Sequence, residues 1–81
     1  MNPTDLAQQT YLEQRREALI DSQIDVVYAA IEARAYFEAL PKRRICPKEV
    51  ARLERITFEA EQRSVNLVRA IAAIGAELDS R

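Results

Sequence analysis

The chain has 81 residues, a formal charge of −1, one cysteine and no histidine. A single domain, 1–81, of this size has a modest core that needs a supplement. Cys46 alone makes no intramolecular disulfide, and without histidine no ordinary zinc site forms, so self-association is the supplement that remains and no cofactor is expected.

Asn2 is suited to cap a first helix, with Pro3 at its first position and Asp5 in its first turn, where a carboxylate meets the positive end of the helix dipole. Pro41 disfavours a helical Leu40 and closes that helix, which the pattern places over about 3–40. A basic turn, 41–46, follows, and Pro47 with Glu49 opens a second helix over about 47–78. At about 1.5 Å per residue the two stretches are roughly 55 and 48 Å long. The short connection makes them antiparallel neighbours, so the expected fold is all-α, a two-helix hairpin. The polar patch Asp21-Ser22-Gln23 is the one place where helix 1 is open to a break, which would give a third helix near residue 22.

Helix 2 carries a heptad seam, Val50, Leu53, Thr57, Ala60, Ser64, Leu67, Ile71, Ile74 and Leu78, spaced alternately by three and four. Its small middle, Thr57, Ala60 and Ser64, lets a neighbouring backbone come close. A second stripe, Phe58, Val65, Val68 and Ala72, lies about 100° round the same helix. Helix 1 also has two lines, one of Leu19, Val26, Ala30, Ala33, Phe37 and Leu40, the other of Ile20, Ile24, Val27, Ile31 and Ala35. One neighbour cannot cover both lines. Two hairpins docked as a four-helix bundle would cover the second stripes, so a homodimer is expected, with Ile20, Ile24, Val27, Ile31, Phe58, Val65, Val68 and Ala72 as its interface or that of a further protein partner. The competing explanation is that long helices simply contain spare alanines, but isoleucine, valine and phenylalanine are not spare.

Charge is uneven. Residues 1–41 hold three basic and seven acidic groups, residues 42–55 six basic and two acidic. Lys42, Arg43, Arg44 and Lys48 around a helix N-terminus suit an anion or an acidic partner. A solvated tip near the C-terminal end of helix 1 accounts for the same residues, since cations there complement the dipole. Nucleic acid ranks behind a protein partner because no aromatic residue interleaves with these cations. Arg16, Gln23 and Arg34 fall within the apolar arc of helix 1, where a charge needs a partner such as Glu59 or Glu61. Setting the register between helices is the favoured role for them, ahead of lining an anion pocket. Cys46 sits in a thiolate-favouring setting but lacks a histidine base, so it reads as a capping residue rather than a nucleophile.

The outline is similar to that of the small helical co-chaperones of bacterial secretion systems, a resemblance carried by the Cys46-Pro47-Lys48-Glu49 start of helix 2 and by the paired helices. It implies binding to another protein. Helix 1 also holds Arg16, Asp21, Asp25 and Arg34, residue types used by small all-helical chorismate mutases. Their spacing departs from that family's first helix, and a third helix is missing. A non-enzymatic interaction module is the resulting expectation, acting as adaptor, chaperone or inhibitor. The lone thiol, the absence of a spanning apolar run and a start, Met1 to Asp5, without leader features point to the cytoplasm and to no membrane partner.

Overall fold

In a computed structural model, which describes residues 2–80, the chain forms helix α1, Pro3–Ala39, a single 3-10 turn, Lys42–Arg44, and helix α2, Pro47–Asp79. The two long helices pack against each other as an antiparallel hairpin measuring 64 × 17 × 15 Å.

The helix ends follow the expected chemistry. The Asn2 side chain accepts a hydrogen bond from the Asp5 amide at 2.9 Å, satisfying one of the donors that the first turn leaves free. Leu40, with φ −68° and ψ 138°, takes the extended conformation imposed by the following proline, so α1 stops at Ala39. Cys46 is the N-cap residue of α2 and makes no side-chain capping bond there. Helix α1 runs unbroken through Asp21-Ser22-Gln23, so the three-helix variant does not form. Polar residues at a helix surface weaken a helix far less than proline or glycine, and the Ser22 hydroxyl donates back to the Ala18 carbonyl at 3.2 Å.

Every seam position expected on α2, from Val50 to Leu78, is buried or half-buried. Its partner on α1 is also a heptad line: Gln9, Leu12, Arg16, Leu19, Gln23, Val26, Ala30, Ala33, Phe37 and Leu40 are all at least half-buried. In the small middle of the seam a side chain of α2 reaches the backbone of α1. Thr57, 3% exposed, donates its hydroxyl to the Leu53 carbonyl at 2.9 Å and lies 3.5 Å from the Ala33 carbonyl oxygen on α1. Towards the tip Phe37 is buried in the seam, and Lys42 from the turn places its ammonium 4.5 Å from the ring centroid, a cation–π contact that ties the turn to α1.

The core is thin. Leu12, Ala30 and Phe37 are the buried apolar residues, and no large side chain among the described residues is fully enclosed. Helix α1 outreaches α2 at the open end, where Pro3–Gln8 are exposed throughout. No helix among the described residues is long and apolar enough to cross a membrane.

Candidate functional site: an apolar side of the hairpin

Every residue of the two second stripes except Ala35 directly follows a seam residue: Ile20, Ile24, Val27 and Ile31 follow 19, 23, 26 and 30, and Phe58, Val65, Val68 and Ala72 follow 57, 64, 67 and 71. An antiparallel helix pair has a local two-fold axis passing through its broad side. Equal steps past the seam therefore arrive on the same side of both helices, and the two stripes merge into one surface. The geometry bears this out, since Val27, Ile31 and Ala35 of α1 line one groove together with Ser64 and Val65 of α2.

This side is open to solvent. Its six large members apart from Val27 range from 40% exposed at Val65 to 65% at Ile24, while Val27 is half-buried and Ala72 exposed. Tyr28, 60% exposed, extends it, lining a shallow surface with Gln23, Ile24, Val27 and Ile31. Tyr28 was not among the expected interface residues. Its place one turn from Ile24 on the same line was the signal available.

The opposite side, made of residues that precede seam positions, is more polar. Asp25 and Arg63 line its groove with Val26, Ala29 and Ala60, and Arg15, Glu32, Arg52, Glu59 and Asn66 share it by position. It also carries the exposed Tyr11, Tyr36 and Ile56. Asp25 and Arg34 thus line grooves on different sides, so the arginines and aspartates of helix 1 are not gathered into one site.

The polar residues of the apolar arc divide. Arg16 and Gln23 occupy seam positions and are half-buried. Arg16 lies along α2 beside Gly75, its Nη1 3.9 Å from where a Cβ on that glycine would stand. Arg34 sits beside the seam and is not fully buried, with 37% of its side chain exposed. Its Nε and Nη2 donate to the two Glu61 carboxylate oxygens at 3.3 and 2.5 Å, a fork-to-fork pair across the helices, so Glu61 rather than Glu59 is the acid it uses. Glu61's carboxyl is held below the usual carboxylate range, first by that hydrogen bond and then by Arg34's charge, with desolvation opposing; Arg34 is raised by the same bond. The guanidinium also lies 5.8 Å from the Phe37 ring centroid.

At the tip, Lys42, Arg43, Arg44 and Lys48 are exposed. Lys42 is committed to Phe37, and Arg52 pairs along α2 with Glu49, whose carboxyl is lowered by the hydrogen bond it accepts. Lys48, Ala51, Arg52 and Arg55 form a shallow surface beyond them. Cys46 is free and exposed. No cluster of three or more histidine, cysteine, aspartate or glutamate residues fit to hold a metal ion occurs among the described residues.

Compared with known proteins, the chain matches no protein-family model, no curated protein and no solved structure.

Proposed function

We propose that this protein is a non-enzymatic interaction module, of the adaptor, chaperone or inhibitor kind, that works by docking the apolar side of its hairpin against another helical protein surface. The observation that carries this reading is the merging of both second stripes on one side, where Ile24, Ile31, Phe58 and Val68 stand 45% or more exposed. Apolar residues gathered in one groove, here Val27, Ala30, Ile31, Ala35 and Val65 with the charged Arg34, Glu38 and Glu61 among them, mark interaction sites, whereas scattered exposed apolar residues do not. A lone exposed thiol fits a reducing interior such as the cytoplasm.

The second reading is an anion or nucleic-acid binder acting through Lys42, Arg43, Arg44 and Lys48. Their shared exposure at a helix start favours it. The diversion of Lys42 to Phe37 weighs against it.

The two readings respond differently to salt and to substitution. Protein association through the apolar side should change little between about 50 and 200 mM salt, should collapse in Val65→Glu, and should weaken only mildly in Arg43→Glu/Arg44→Glu. The contrary result is tight binding of a short labelled oligonucleotide that falls steeply with salt and vanishes in the arginine variant while Val65→Glu leaves it intact.

A further inference from the structure

Resting on that reading, we infer that the occupant of the apolar side is a second copy of this chain, laid antiparallel so that each basic tip lies over the open end of the other, away from its partner's tip. The surface area argues first. A compact monomer of 9.3 kDa exposes about 5,000 Å², whereas this hairpin exposes 6320 Å², an excess of roughly 1,300 Å². A standard interface takes about 800 Å² from each partner, so one further hairpin is a sufficient cover.

The thin core argues for a cover that is always present. With Leu12, Ala30 and Phe37 as the buried apolar residues, the hairpin needs another layer whenever it is folded, and a copy of itself is supplied in step with the chain. The opposite side, where Asp25, Glu32, Arg52, Glu59 and Arg63 are exposed, is the more polar of the two and is left to solvent in such a pair.

Charge decides the direction. A two-fold interface pairs each point with the point equally far on the other side of its axis. Ile24 lies about midway between Pro3 and the tip, in the centre of the apolar side. A two-fold axis perpendicular to the helices there sets Lys42, Arg43 and Arg44 of one copy against the open end of the other, where Asp5, Glu13, Glu17, Glu77 and Asp79 stand among Arg15, Arg16 and Arg69, and so keeps the two basic tips apart. The parallel alternative stacks tip on tip, cation against cation. Apolar contact supplies the affinity in this arrangement, and charge supplies the orientation.

Cys46, the one cysteine and an exposed one at the tip, reports the arrangement directly when the full chain carries a nitroxide label there. From Val68 to Cys46, doubled across the axis, the antiparallel pair separates the labels by roughly 65 Å. The tip-on-tip pair holds them within about the 15 Å thickness of one hairpin. The result expected is a dimer with the long distance, and a dissociation constant raised at least ~100-fold by Phe58→Asp, which enters a symmetric interface twice, with the helical circular dichroism retained. Val65→Glu serves the same purpose if Phe58→Asp loses its helix signal. A short distance overturns the arrangement. A monomer at high micromolar concentration overturns the second copy while leaving the docking side to a foreign protein. A dimer indifferent to both variants places the contact elsewhere and overturns this inference and the proposed function together.

Discussion

The guanidinium of Arg34 spans from α1 to α2 and holds both carboxylate oxygens of Glu61, beside the apolar groove that the two helices share. Because the depressed Glu61 carboxyl is favoured in its charged form only when folded, its contribution is present above the unfolded value, about 4.3, and is lost as pH falls through the lower folded value. Wild-type stability, followed by urea unfolding at a series of pH values, should therefore decline below about pH 4.5 more steeply than that of Glu61→Gln. Identical acid limbs would show that the pair contributes nothing.

The two phenylalanines give opposite outcomes. Phe37 is 8% exposed in the seam and Phe58 57% exposed beside it. Phe37→Ala should cost about 3 kcal/mol or more, enough to melt a hairpin with so few buried residues, whereas Phe58→Ala should leave helical circular dichroism in place and act on association. Thermal unfolding of the two variants side by side checks this. Equal losses would contradict the assignment of Phe37 to the core and Phe58 to the docking side.

Thr57 is buried against the Ala33 carbonyl of α1, and Leu at that position should wedge the helices apart. Overpacking of this kind costs about 1–3 kcal/mol, measured as a lowered urea midpoint. Thr57→Ala should be milder, since the hydroxyl bonds within its own helix to Leu53.

Gly75 sits inside α2 with ordinary helical backbone, and an added Cβ would meet only Arg16 at 3.9 Å, an ordinary contact. Gly75→Ala should therefore stabilise the protein by about 0.4–1 kcal/mol through the unfolded chain's entropy. A rise of a few degrees in Tm is the readout, and a fall would mean that the glycine serves a closer contact than the hairpin itself provides.

Much of this architecture was legible in the sequence because proline is a strong punctuator: Pro3, Pro41 and Pro47 mark both helix starts and one helix end. The α2 seam was equally legible, being apolar or small at every heptad position. The α1 seam was only half so. Its open-end half places Gln9, Arg16 and Gln23 at seam positions, and a search for apolar lines stops at Leu19. Leu12, one of the few buried residues, was missed for that reason, although it begins the seven-residue series Leu12, Leu19, Val26, Ala33, Leu40. That both second stripes share one side depends on antiparallel register, which periodicity within a single helix does not carry. The choice of Glu61 over Glu59 for Arg34 needed the same register, because the two acids lie about 160° apart on their helix.

The proposed dimer makes each hairpin half of an assembly, and sedimentation equilibrium of the full chain from low to high micromolar concentration tests that most directly. It predicts a mass of twice 9.3 kDa at the upper end, falling towards the single mass on dilution. A mass of 9.3 kDa at every concentration, with an unfolding midpoint that does not move, would contradict it.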